Sequence, residues 1–227
     1  MSSTPKDARA QVAQASPSGT MPGSGANTIS VPPSLVGIDM KFIHAQEGYE
    51  TNGYVPYDNN GNVDGSSGVT IGAGVDLGQM NDYDLNRLVK NHGLDPALAA
   101  RLKPYLGLTR KAADSFLAAN PITLSKAEAE QLSNAKYDQI AGDPVNRYDK
   151  AMKAAGRPDT FAALPPKMKT VALSVAIQHG ANLRYATKRF WKTLLSGSVT
   201  AMEHELRNFG PNYKSRRIRE ADYLGKP

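Results

Sequence analysis

The chain contains no cysteine. Disulfides, thiolate metal sites and a cysteine nucleophile are therefore excluded. The compartment stays open, since a protein without thiols works in either redox state. No apolar run approaches the ~18 residues of a membrane-span candidate. The N-terminus lacks the basic-then-apolar pattern of a secretory signal, so export by the ordinary Sec route is not expected. Histidine is scarce: the four, His44, His92, His179 and His204, lie far apart and none falls in a His-x-x-x-His pairing, which argues against a metal centre. No Gly-x-Ser-x-Gly elbow marks a nucleophilic serine. Gly72-Ala73-Gly74 lacks the spaced third glycine of a dinucleotide loop and the Gly-Lys-Ser/Thr ending of a phosphate loop. There is no internal repeat, and no cofactor is expected.

What is present is ordinary for a globular protein: 227 residues, 40% hydrophobic and 21% charged. The net charge of +6 suits an anionic partner such as nucleic acid, lipid headgroups or an acidic polysaccharide. The excess gathers late, at Arg184, Lys188, Arg189 and Lys192, then Lys214, Arg216, Arg217 and Arg219; a solvated helix face accounts for such charge equally well. Residues 1–33 are rich in Ser, Pro, Gly, Ala and Gln without an apolar period, which predicts a flexible tail or linker. Residues 34–227 read as one domain.

The domain is organised around Glu47 to Gly78. Leu35, Ile38, Phe42, Ala45 and Tyr49 recur at helical spacing, with Ser34 as the expected N-cap and Gly48 as the stop. Glu47 then sits in the last turn, where the helix dipole and partial burial disfavour a carboxylate and favour the protonated acid. Residues 50–66 are dense in turn formers (Asn52-Gly53, Asn59-Asn60-Gly61, Asp64-Gly65) and predict short strands with tight hairpins. A strand over 68–74 follows, with Asp76 just beyond it. The remainder predicts helices at 82–91, 95–103 and 109–119, a capping box at Ser125–Glu128 opening a helix to about Ile140, and another over 143–154. The run Met168 to His179 is apolar nearly all round and predicts the buried centre of a bundle. Helices at 189–195 and 199–208 and a basic one around 213–223 close the chain. The expected fold is α+β and mainly helical.

Two acids and a hydroxyl thus lie on elements that turns can fold together. Glycoside hydrolysis needs a proton donor for the leaving oxygen and a second carboxylate to activate water or attack carbon. Glu47 can supply the first, Asp76 and Asp58 compete for the second, and the Thr70 hydroxyl can hold a water. Each also has a plain structural reading: Glu47 an exposed helix end, Asp58 a turn former, Thr70 a strand residue, Asp76 a cap. His179 reads as a core or cleft-lining residue.

Glu47-Gly48-Tyr49, the segment Gly53-Tyr-Val-Pro-Tyr-Asp58 and the run Gly68-Val-Thr-Ile-Gly-Ala-Gly-Val-Asp-Leu-Gly78 resemble the active-site region of pesticin-type muramidases, relatives of the T-even phage lysozymes. The likeness continues in order through Ile122–Glu130, Val171–Gly180 and Pro211–Glu220, covering about residues 35–223. It implies a lysozyme-like fold, a small antiparallel sheet lobe beside a helical lobe with a cleft between. It also implies hydrolysis of the β-1,4 bond between N-acetylmuramic acid and N-acetylglucosamine in peptidoglycan, with inversion. Carried over residue by residue, Glu47 is the general acid, Thr70 positions water, Asp76 is the second acid of the pesticin branch and Gln178 contacts substrate. Asp58 stands nearer the second acid of the phage lysozymes. Arg216 or Arg217 is expected to pair with Glu47, opposing the dipole. The partner is the glycan strand, met by a monomer made in the cytoplasm and carried to the wall in the periplasm by lysis or delivery. Phage endolysin, bacteriocin and secretion-system effector share these features, and an immunity protein that blocks the cleft belongs only to the toxin readings. The alternatives are a non-catalytic wall-binding module, a lytic transglycosylase and a nucleic-acid binder; the last is poorly served by a basic segment whose aromatics, Phe209 and Tyr213 apart, are sparse.

Overall fold

A computed structural model describes residues 32–211 and 213–226; the expected tail lies, but for its last two residues, outside them. The fold is α+β and mostly helical, as expected. Helix α1 (Met40–Glu47) leads into strand β1 (Glu50–Tyr54), and a long loop returns to β2 (Thr70–Gly72) and β3 (Val75–Asp76). The helices α2 (Asp82–His92), α3 (Pro96–Leu102), α4 (Arg110–Ala119), α5 (Lys126–Ala154) and α6 (Pro166–His179) follow, then α7 (Leu183–Ala186), α8 (Lys188–Ser196), α9 (Val199–Arg207) and α10 (Lys214–Gly225). The strands form one antiparallel sheet in the order β1-β2-β3.

The strand expected over 68–74 is instead two, β2 and β3, joined by a turn at 73–74, and two helix readings change as well. The first helix starts at Asp39, whose carboxylate accepts the Phe42 N–H at 3.0 Å. Ser34, the expected cap, instead donates its hydroxyl to Asp138 on α5. Between them Gly37 turns the chain at φ +76°, over the buried Lys169, whose Nζ would lie 2.7 Å from a Cβ at that position. Lys169 donates to the Val36 carbonyl at 3.0 Å, so a buried ammonium is satisfied by the turn that shortens the helix. The second helix to differ is α5, which runs unbroken through the predicted gap at residues 141–142 and through Pro144. A mid-helix proline removes one hydrogen bond and costs about 3 kcal/mol. Here Tyr137, Ala141, Pro144, Tyr148 and Met152 make one buried stripe at helical spacing across the break, and its packing outweighs the lost bond.

That long helix serves three packed clusters. Its N-terminal half covers the core under the sheet, with Ala129, Leu132 and Ala135 against Val69, Ile71, Leu77 and Leu88. Its C-terminal half joins the bundle core through Tyr148 and Met152, against Val171, Phe190 and Leu194. Between them Tyr137 and Ala141 pack with Ile43, Ala73 and Leu173. Every residue of α6 from Met168 to Ala176 is buried, as its all-round apolar composition predicts. Among the described residues no helix is long and apolar enough to cross a membrane.

The sheet is pinned to α5 at one residue, Ala73. The Ala73 N–H donates to Ser133 Oγ at 2.9 Å, and the Tyr137 hydroxyl donates to the Ala73 carbonyl. Ser133 also donates to the Ala129 carbonyl at 2.7 Å and is fully buried. Replacing Ser133 by Ala leaves a buried N–H without an acceptor, so the unfolding free energy should drop by about 1–3 kcal/mol. Urea denaturation of the Ser133→Ala variant measures this; an unchanged midpoint would show that the pin contributes nothing.

Candidate active site

The antiparallel register pairs Tyr54 with Thr70 and Thr70 with Asp76, so the three stand in a row across the sheet. Directly opposed residues share a face, which brings a phenol, a hydroxyl and a carboxylate together. Thr70 is 4% exposed and donates to the Gly68 carbonyl at 3.3 Å, leaving its oxygen free to accept. Asp76 Oδ1 accepts the N–H groups of Gly78 at 2.9 Å and Gly68 at 3.1 Å, while Oδ2 has the longer contact of 3.3 Å to Gly68. Burial pushes the Asp76 carboxyl above its ordinary value, and the amides of Gly78, Gly68 and Gln79 pull it partly back.

The clamp explains why this stretch carries glycine. A Cβ on Gly68 would stand 2.5 Å from the Gly78 Cα, and one on Gly78 would stand 2.7 Å from the Gly68 Cα. Either would also strike the Leu108 carbonyl. Only two residues without side chains can aim both amides at one carboxylate in this way.

Glu47 ends α1, just before Gly48 at φ +77°. The turn between β2 and β3 packs against it: a Cβ on Gly74 would lie 3.9 Å from both the Cβ and the carbonyl oxygen of Glu47. Arg216 Nη2 stands 2.5 Å from Glu47 Oε1, yet that oxygen is buried with no hydrogen-bond donor, so the contact is ionic and misaligned for hydrogen bonding. Of the two arginines expected to pair with Glu47, Arg216 makes the contact. Arg217 donates to Gln178 Oε1 at 2.6 Å, and its Nη2 forms an ion pair with Glu220 Oε1 at 2.9 Å. Burial lowers the Arg217 guanidinium to about 10, although Glu220 opposes this. Burial pushes Glu220 up against the pull of Arg217, Ser174 and Arg216.

The two acids share a neighbour. Tyr54, 37% exposed, has its phenol raised by burial and then by the charges of Glu50, Asp76 and Glu47. Glu47, Tyr54, Thr70 and Asp76 therefore belong to one site, and Gln178 joins it through Arg217. Asp58 stands apart. Its carboxylate accepts the N–H groups of Asn60 at 2.8 Å and Asn62 at 2.9 Å, closing its own exposed loop, and these bonds hold its carboxyl low. His179 packs against Phe209 and Tyr213 and lines an open pocket of ≈ 460 Å³ with Tyr185 and Arg189. Among the described residues no three His, Asp or Glu side chains could hold a metal ion together.

Sequence reasoning treated Tyr54 only as strand material, and it did not single out Ser174 or Glu220. The signals were slight: a serine inside an apolar helix, and one glutamate on a basic one. A buried polar residue needs partners, and those partners lie 42–46 residues away in the chain.

Two predictions arise here. Gly78→Ala forces the clamp apart and should cost about 1–3 kcal/mol of stability as overpacking does; thermal unfolding tests it, and a variant with wild-type melting would refute the clamp. Burial also holds His44 and His179 below the ordinary imidazole value of 6.5. A lowered folded value means that the unfolded chain protonates first, so their stability is present above pH ~6.5 and is lost as pH falls. The His44→Gln/His179→Gln double variant should lose less stability between pH 7 and pH 5.5 than wild type in urea titrations; an equal or greater loss would contradict the assignment.

No curated protein matches the chain. Residues 37–199 match the family described as "Pesticin: Bacterial toxin homologue of phage lysozyme, C-term". The matched stretch contains Glu47, Tyr54, Thr70, Asp76 and Gln178, whereas Arg216, Arg217 and Glu220 follow it. With well over half its length matched, and with the sheet, bundle and paired acids described above, the chain belongs to the pesticin family of phage-lysozyme homologues.

Proposed function

We propose that the protein is a muramidase that cleaves the β-1,4 bond between N-acetylmuramic acid and N-acetylglucosamine with inversion. Family membership supports the coarser part, a lysozyme-like peptidoglycan hydrolase. The observation that carries the finer part is the packing of the β2–β3 turn, whose strands carry Thr70 and Asp76, against Glu47 at the end of α1. Glu47, protonated, delivers its proton to the glycosidic oxygen as the bond to the anomeric carbon breaks. A water held by Thr70 loses a proton to Asp76 and attacks that carbon from the opposite face. Burial suits Asp76 to this role, since a carboxylate raised above its ordinary value is the stronger base. Its clamped Oδ1 leaves Oδ2 as the oxygen that meets the water. Gln178 is fixed by Arg217 through its carbonyl oxygen, which presents its amide N–H groups as donors to the sugar. The net charge of +6 favours encounter with the anionic wall.

The family's description as toxin homologues supports a delivered antibacterial toxin over an endolysin. In that setting the enzyme works as a monomer on the periplasmic wall, and an immunity protein that plugs the cleft is the expected partner.

Glu47→Gln removes the proton donor while keeping its shape, and wall lysis should fall by roughly 10²–10⁴-fold with folding intact by circular dichroism. Mass spectrometry of digested peptidoglycan should show reducing-end muramic acid, and NMR of fresh products should show the inverted anomer. Anhydro-muramic products would identify a lytic transglycosylase instead, and undiminished lysis by the variant would end the general-acid assignment.

A further inference from the structure

Glu220 is fully buried, and nothing in the chemistry above uses it. One of its oxygens collects every donor it has. Oε1 accepts the Ser174 hydroxyl and stands 2.9 Å from Arg217 Nη2 and 3.3 Å from Arg216 Nε, while the buried Oε2 has no hydrogen-bond partner among the described residues. Arg216 then reaches Glu47, and Arg217 reaches Gln178. Ser174 steadies Arg216 from the other side, its Oγ and carbonyl accepting Nη2 at 2.9 and 3.2 Å. The two arginines that hold the candidate acid and the candidate sugar contact are thus tied to the same carboxylate.

We infer that Glu220 is a positioning residue for the muramidase reaction, setting the protonation of Glu47 through the charge balance that it shares with Arg216 and Arg217.

The reasoning is electrostatic and rests on the muramidase reading. Glu47 and Glu220 face Arg216 and Arg217, two negative charges against two positive, in a space where all but Glu47 are at most 5% exposed. A general acid must hold its proton until substrate arrives, and a nearby cation works against that. With Glu220 in place, one cation's worth of charge is cancelled before it reaches Glu47. Without it, Glu47 is left as the one carboxylate set against the two guanidiniums, of which Arg216 touches it. The other groups near the cluster do not restore the balance. Gln178 and Ser174 on α6 are neutral, and burial with Arg217 and Arg216 keeps His179 in the neutral form at pH 7. Tyr137 on α5 and Tyr54 on β1 are held protonated by burial. Tyr213, next to α10, packs edge-on against His179. The other charges nearby are Asp76 on β3, on the water side of the reaction, Glu50 on β1, and Arg219 on α10, which donates to Gln46 beside Glu47 at 2.8 Å; the variants below leave all three unchanged.

The signs are opposite for the two ends of the tie. Glu220→Gln keeps a hydrogen-bond acceptor for both arginines but removes the charge, so Glu47 ionises more readily. The alkaline limb of the pH profile of kcat/KM should move down by about one pH unit, the low end of the effect of a neighbouring charge. Arg217→Gln removes a cation and should move the same limb up. The Arg217→Gln/Glu220→Gln pair restores the balance and should return the limb to its wild-type position, even if the absolute rate is lower.

The experiment is a pH series of kcat/KM on purified peptidoglycan for wild type, these variants and Glu47→Gln, with circular dichroism on each. Opposite displacements of the limb in the two single variants, cancelling in the pair, would establish the inference. A uniform loss at every pH with the limb unmoved would overturn it and leave Glu220 with a purely structural role. If Glu220→Gln does not fold, Arg217→Gln against the pair decides on its own: equal limbs in those two refute the idea. Retained lysis by Glu47→Gln would instead bring down the muramidase reading, a result separable from an unmoved limb in an enzyme that needs Glu47.

Discussion

The backbone of a single residue, Ala73, fixes the relation between the sheet and the helices. Ala73 sits in the turn joining β2 to β3, and both its N–H and its carbonyl are taken by side chains of α5. The turn is too tight to satisfy those groups itself, and burial forbids leaving them to water. Once they are bound, the neighbouring Gly74 lies against the end of α1, and the position of Glu47 relative to the strand that carries Thr70 and Asp76 is set. Ser133 and Tyr137 are one helical turn apart on α5, the spacing that lets a rigid helix grip one residue from two sides.

The site then divides into two halves with different physics. Around Asp76 the charge is handled by main-chain dipoles, which are neutral, short-ranged and fixed by the fold. Around Glu47 it is handled by full charges on long side chains, arranged so that arginine and glutamate alternate from Glu47 through Arg216 and Glu220 to Arg217. Burying such a chain costs several kcal/mol per ion unless partners are close and hydrogen-bonded. Arg217 adds a cation–π contact, its guanidinium 5.2 Å from the centre of the Phe209 ring, while its Nε and Nη1 and Glu220 Oε2 are buried without a hydrogen-bond partner among the described residues. That cost buys no obvious packing advantage over apolar side chains of the same size, and it falls beside the candidate proton donor.

Much of this was legible in the sequence wherever the signal is local. The Ser125–Glu128 capping box opens α5 as read, the apolar run of α6 is buried throughout, and the acid at the end of α1 lies where the Gly48 stop puts it. Local signals failed where a distant contact outweighed them. Ser34 is a good cap by composition, but Asp138 takes its hydroxyl and Lys169 bends the chain after it. Pro144 is a helix breaker by every local rule, yet the stripe from Tyr137 to Met152 keeps the helix whole. The choice between Arg216 and Arg217, adjacent in sequence, depends on which side of α10 faces α1, and no periodicity on a mostly basic helix reports that. The row of Tyr54, Thr70 and Asp76 depends on a strand register that includes an irregularity between Glu50 and Tyr54, which alternation of residue types does not reveal.

The clamp on Asp76 has a consequence for how such a site can change over time. Its donors are amides of the main chain, so the identity of surrounding side chains is largely irrelevant to it. The surrounding side chains are free to change while the carboxylate stays put. The burden of constancy falls instead on positions 68 and 78, where the useful property is the absence of any side chain at all.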